Sequence, residues 1–229
     1  ISDGTVRCWG ANTFGQLGDG STTNRLTPVQ VLVVTGANQI TTGDVHACAR
    51  SGGDVRCWGA NSSGQLGDNS TIDRSTPVLS TTGMSSVSAG GSHTCAIDFA
   101  SQVSCWGANN IGQLGTGDFM SRFFPTQVPG LATVTQISAG NSHTCALLQD
   151  ETMSCWGANS YGQLGTGTTT STTSPVPVPG LTTVGSIDTQ GATCAVSLFG
   201  EALCWGANSY GQLGDGTTTS RTSPTLLSE

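Results

Sequence analysis

The chain has 229 residues, a net charge of −7 and only 9% charged side chains: seven arginines, no lysine and fourteen acids. That balance excludes a nucleic-acid groove or a basic face for anionic membranes, both of which need clustered cations. A 35% hydrophobic content suffices for one large core or two small ones, and no apolar run approaches the ~20 residues of a membrane span. Glycine, serine and threonine crowd out helix formers, and "TTTSTTS" (Thr168–Ser174) reads as loop or edge strand, so the class is all-β. No leader-like segment opens the chain, which reads as a mature product or a fragment.

In chain order, "ISDGTVRCWG" (1–10) already lies inside a repeating unit. "CWGANTFGQLG" starts at Cys8, "CWGANSSGQLG" at Cys57, "CWGANNIGQLG" at Cys105, and "CWGANSYGQLG" at both Cys155 and Cys204. The tryptophans Trp9, Trp58, Trp106, Trp156 and Trp205 are spaced by 49, 48, 50 and 49 residues. Nineteen residues after each comes a proline, Pro28, Pro77, Pro125, Pro175 or Pro224, and sixteen after comes Arg25, Arg74, Arg122, Thr172 or Arg221. A period of this length signals a solenoid or propeller, because one unit cannot bury its own apolar face. The unit is clearest from residue 134. "VTQISAG" (134–140), "HTCALL" (143–148) and "MSCWGAN" (153–159) read as three strands, a "GQLG" turn follows, and "SPVPV" (174–178) is a fourth. Its prolines suit a sheet edge. Four short strands per period describe a propeller blade.

The run G-A-N-x-x-G-Q-L-G, followed by Arg and Pro and preceded by "ISAG-x-x-H-T-C-A-L", resembles the RCC1-repeat family (regulator of chromosome condensation). The resemblance covers essentially residues 1–229 as a single domain or segment. It implies a β-propeller of four-stranded blades, here four full repeats plus a partial fifth.

Eight of the nine cysteines fall in pairs that bracket the turn between second and third strands: Cys48 with Cys57, Cys95 with Cys105, Cys145 with Cys155, and Cys194 with Cys204. Eight intervening residues in the first pair fit three cross-strand pairs around Gly52-Gly53. Nine in the others fit a three-residue loop, with Gly200 where a left-handed residue is wanted. Facing residues are then close enough for disulfides. The rivals are zinc and reduced core thiols. His46, Cys48 and Cys57 offer three ligands on neighbouring strands, as do the cysteines beside His93 and His143. In the last repeat, however, Ala192 replaces the histidine while Cys194 and Cys204 remain, which argues against metal. Disulfides in every repeat imply an extracellular or cell-surface location, and mark the chain as a secreted, bacterial-type variant. Cys8 is left unpaired or available to another chain.

Each Trp, one residue beyond a stapled Cys, points to the opposite face of its blade and is expected to pack against the neighbouring blade. The histidines read as structural hydrogen-bonders. The arginines tie down their own loops or bind an anion, and Asp19, Asp68 and Asp215 alternate with Thr116 and Thr166, so no calcium ladder is required. "NSS" at Asn61 and "NST" at Asn69 match glycosylation sequons. Phe14, Ser63, Ile111, Tyr161 and Tyr210 occupy one variable position in an otherwise constant loop, as a partner-binding surface on a rigid scaffold would; the alternative is packing on the next blade.

No convergent catalytic set, metal site or cofactor site emerges. The expected function is a non-enzymatic extracellular element, structural or protein-binding. Its partner is another protein or copies of itself, with no nucleic acid and no membrane insertion. The alternative is a secreted enzyme inhibitor, since a β-lactamase inhibitor uses a related propeller. One strand segment, the one that would carry a partner for Cys8, is missing from the fifth unit. Either a longer parent or head-to-tail assembly into a filament is therefore expected, and not an isolated closed ring.

Overall fold

The computed structural model describes residues 4–227. Blade 1 holds β1 (Arg7–Gly10) and β2 (Arg25–Gln30). Blade 2 follows as β3 (Gln39–Thr42), β4 (His46–Ser51), β5 (Asp54–Gly59) and β6 (Arg74–Thr81). Blade 3 is β7 (Met84–Ala89), β8 (His93–Asp98), β9 (Val103–Gly107) and β10 (Arg122–Gln127). Blade 4 is β11 (Val134–Ala139), β12 (His143–Leu148), β13 (Met153–Gly157) and β14 (Thr172–Pro177). Blade 5 is β15 (Val184–Thr189), β16 (Ala192–Ser197), β17 (Ala202–Gly206) and β18 (Arg221–Leu226). Every pairing is antiparallel between sequence neighbours. Among the described residues there is no helix.

Blades stack face to face. First strands of neighbouring blades meet (β3 with β7, β7 with β11, β11 with β15), so the blades converge there and fan apart at their fourth strands. The second strands β8 and β12 are buried at nearly every position instead of alternating, because a blade covers each of their faces. The fourth strands carry the repeat prolines and stay half-exposed, the edge placement that a missing N–H demands. The core is four separate apolar layers, each lying between two blades and each holding one tryptophan. Among the described residues blade 1 contributes two strands, third and fourth in type, and no first or second strand.

The hairpins between second and third strands follow the cysteine spacing. Ala49, Arg50 and Ser51 face Arg56, Val55 and Asp54 around Gly52-Gly53. In the later blades the loop is three residues long, closed by Asp98 N–H to Gln102 O, Leu148 N–H to Thr152 O and Ser197 N–H to Glu201 O. The last loop residue is left-handed in all three, Gly200 at φ +87°, Ser101 at +63° and Glu151 at +66°. A side chain there costs about 1–2 kcal/mol that glycine avoids, less the extra chain entropy glycine loses. Glu151→Gly is therefore expected to stabilise the protein by about 0.5–1 kcal/mol, and Gly200→Glu to destabilise it similarly, as read from urea midpoints.

Candidate functional site

The G-A-N-x-x-G-Q-L-G segment is built around a buried asparagine. Asn159 Oδ1 accepts the Leu164 N–H at 2.9 Å, and its Nδ2 donates to the Thr168 and Thr170 carbonyls at 3.0 Å each. Asn12, Asn61, Asn109 and Asn208 repeat this pattern, and all five are fully buried. A glycan at Asn61 is thereby excluded, because its amide nitrogen is committed inside the fold. The glutamine side chain braces the variable residue: Gln163 Oε1 accepts the Tyr161 N–H at 2.9 Å. The leucine anchors the turn and is buried in every copy.

The glutamine main-chain carbonyl faces outward to the next blade and receives its tryptophan. Trp58, Trp106, Trp156 and Trp205 donate their indole N–H to Gln16, Gln65, Gln113 and Gln163 carbonyls at 2.9–3.0 Å. The last glycine of each G-Q-L-G forms the floor of this seat. A Cβ on Gly18, Gly67, Gly115 or Gly165 would stand only 2.6–2.9 Å from the indole nitrogen. Around the three later seats, Trp106, Trp156 and Trp205 also cover the disulfide of the preceding blade. These four tryptophans are 0% exposed, whereas Trp9 is 61% exposed. That overturns the expectation of inter-blade packing for Trp9: burial is supplied by the preceding blade's loop, and no such loop stands before blade 1 among the described residues.

Three junctions carry a second bond. Thr94, Thr144 and Thr193 hydroxyls donate to the same glutamine carbonyls at 2.7–2.9 Å. Each hydroxyl proton is then committed, so its oxygen accepts from His46, His93 or His143 Nε2 at 2.8–2.9 Å. The histidines are fixed as neutral Nε2–H tautomers. Complete burial pushes His46 and His143 down to about 4; burial, with His46 and His143 nearby, pushes His93 down to about 3.

Four arginines pair with aspartates of their own loop: Arg25 with Asp19, Arg74 with Asp68, Arg122 with Asp118 and Arg221 with Asp215, at 2.6–2.9 Å. Partial burial pulls the Asp19 and Asp68 carboxyls upward, but hydrogen bonds from Ser21 and Ser70 and the arginines outweigh it and hold both below the usual range. In the third repeat the acid sits two residues later, and the fourth, with Thr172 for Arg, has threonine at both acid positions. The cysteine pairs Cys48–Cys57, Cys95–Cys105, Cys145–Cys155 and Cys194–Cys204 are bonded, with Cα atoms 4.1 Å apart in each. Cys8 is free and half-buried on β1, and burial pushes its thiol up. Among the described residues no three His, Cys, Asp or Glu side chains converge as a metal site. At the variable loop position Phe14, Tyr161 and Tyr210 are exposed, while Ser63 and Ile111 are half-buried.

Trp106→Ala is expected to cost about 3–5 kcal/mol and Arg122→Ala under about 1 kcal/mol, with Trp9→Ala near zero; denaturant titrations of the three variants check the order. The histidines make the fold acid-sensitive. Their folded pKa lies below the unfolded value of about 6.5, so the unfolded chain binds more protons as pH falls through that value. Stability contributed by the neutral rings is full above about pH 6.5 and is lost as pH falls toward 4. Urea midpoints are expected to be flat from pH 7 to 8 and to decline between about 6.5 and 5, where carboxylates remain ionised. The triple variant His46→Gln, His93→Gln, His143→Gln should remove that slope.

Comparison with known proteins agrees with this architecture. Human WBSCR16 superposes with a TM-score of 0.91 at 22% identity, over 100% of this chain and 63% of that one. Prp20p from Saccharomyces cerevisiae, described by its binding to Gsp1p and histones, gives 0.84 at 22% identity over 97% and 59%. The CRINKLY WD40 ectodomain of the Arabidopsis thaliana receptor kinase ACR4 gives 0.52 at 20% identity over 99% and 61%. This chain thus spans less than two thirds of each of these relatives. No curated protein sequence matches it. The RCC1-like domain profile matches residues 1–229, and the chain belongs to the RCC1-like domain family.

Proposed function

We propose that residues 1–229 form one propeller segment that acts as a non-enzymatic, extracellular protein-binding or structural element. The observation that carries this reading is the loop row Phe14, Ile111, Tyr161 and Tyr210. Each stands on a turn whose backbone is pinned by a buried asparagine and by a glutamine side chain. Rigid aromatic side chains on fixed loops bind protein surfaces at low entropic cost. Prp20p, of the same fold, is described as binding Gsp1p and histones, and the ACR4 neighbour is an ectodomain. Four disulfides fit an oxidising compartment. The structural form of the reading, a subunit or segment of an extracellular filament, needs end faces that contact other copies.

The test replaces Phe14, Ile111, Tyr161 and Tyr210 by serine together, since Ser63 already occupies this position in the second repeat. Proteins retained from native extracellular fluid by the immobilised wild-type chain should be lost with the variant, at an unchanged melting temperature. Equal retention by both would overturn the loop surface as the binding site.

A further inference from the structure

Blade 3 carries an apolar corner where the other repeats are polar. Phe119 and Met120 lie in its loop between third and fourth strands, and Phe123 and Phe124 stand at the start of β10. Counted from the tryptophan, the other four repeats have threonine or serine at all of these positions except Leu26 and Ile72. The four side chains are 64%, 67%, 41% and 53% exposed. Blades 2 and 4 are both in place beside blade 3, so this exposure belongs to the blade itself.

The corner is held rigid from two sides. Asp118, the acid that stands two residues beyond its counterparts, accepts the Met120 N–H on Oδ1 at 3.0 Å, and its Oδ2 pairs with Arg122 at 2.6 Å. Arg122 Nη1 donates to the Met120 carbonyl at 2.8 Å. The displaced ion pair thus closes around Phe119 and Met120 and ties their loop to the start of β10. On the blade 2 side, the Phe123 carbonyl accepts the Asn69 N–H at 2.9 Å, and the Phe123 ring lies so close to Gly64 that a Cβ there would clash with it. Side chains on a backbone fixed in this way lose little entropy on contact.

Four side chains exposing roughly half to two-thirds of their area present about 400 Å² of apolar surface. A patch of that size on a monomer marks a contact site, and it supplies about half of the ~800 Å² that each partner brings to a standard interface. The flanking ion pairs, Asp68–Arg74 and Asp118–Arg122, are each neutral. The corner therefore has no strong pull on a charged partner and little repulsion for a copy of a chain whose net charge is −7. An uncharged patch of phenylalanine and methionine is best matched by another like it, as in the apolar cores of homodimer interfaces. We propose that two copies of this chain pair through this corner of blade 3 about a two-fold axis, with Met120 of each seated against the phenylalanine rings of the other. One patch meeting itself closes at the dimer. The contact is separate from the loop row Phe14, Ile111, Tyr161 and Tyr210 and does not rest on it.

The experiment is sedimentation velocity on a Cys8→Ser background, which removes any Cys8–Cys8 dimer. The concentration series reaches about 100 μM, past the weak, micromolar end for interfaces of standard size. The parent should pass from monomer to dimer and grow no further. Two double variants, Phe119→Thr with Met120→Thr and Phe123→Thr with Phe124→Ser, install the residues that the fourth and fifth repeats carry at the same places, so the fold is kept. Each should weaken dimerisation about 30-fold or more with an unchanged far-UV circular dichroism spectrum. Replacing Phe14, Ile111, Tyr161 and Tyr210 by serine should leave the dimer intact. A parent that stays monomeric, growth beyond the dimer, or dimers that survive both double variants would overturn the proposal and leave the loop-row reading standing. Dimerisation lost with the loop-row variant would overturn it and move the self-contact to that row.

Discussion

The contact on which the whole molecule depends is the indole of one blade lying in the seat of the blade before it. A four-stranded sheet of short strands has two apolar faces and no means of covering either alone. Here the incoming face offers a tryptophan and the outgoing face offers a carbonyl, a glycine floor and, at three of the four junctions, a disulfide. The indole N–H would be costly to bury unpaired, and the glutamine carbonyl answers it at 2.9–3.0 Å in all four junctions. The constant letters of the repeat are therefore the two halves of one joint. Cys and Trp are adjacent in sequence because adjacent strand residues face opposite ways, one toward each neighbour.

Around that joint the polar residues are organised by satisfaction of hydrogen bonds. The asparagine holds together a loop that has almost no apolar side chains, and it does so with both ends of its amide. The glutamine works in two directions, its side chain inward on its own turn and its carbonyl outward to the next blade. Position five after the tryptophan is where the copies of this turn differ most, and its side chain is exposed in Phe14, Tyr161 and Tyr210.

The junctions are not identical, and the differences come in matched sets. Aspartate and arginine are present together in four repeats and absent together from the one with Thr172. The histidine and its threonine join blades 2 to 3, 3 to 4 and 4 to 5. Blade 2 has Ala47 at the threonine position, facing blade 1, in which the described residues form no second strand. Leaving one member of a buried polar pair without the other is the expensive error, so the two are kept or lost as a unit.

Period, strand order, edge prolines and the four cysteine pairings were legible in the letters, because each rests on local geometry: two-residue alternation, hairpin loop length and proline's missing donor. The left-handed place of Gly200 was legible for the same reason. Three things were not. Asn159 and its equivalents read as ordinary turn residues, since nothing local shows that their amides span nine and eleven residues of loop. Asp118 escaped column-by-column alignment because it stands two residues beyond the other acids, although the parallel loss of acid and arginine in the fourth repeat was a usable signal. The exposure of Trp9 was the third, with the same letters around it as its four buried counterparts. The chain by itself determined what each blade is and which groups it offers; only the tertiary structure decided which were answered. Burial of a tryptophan here is a property of two blades some 42 residues apart, and no residue near Trp9 in sequence encodes the presence of its neighbour.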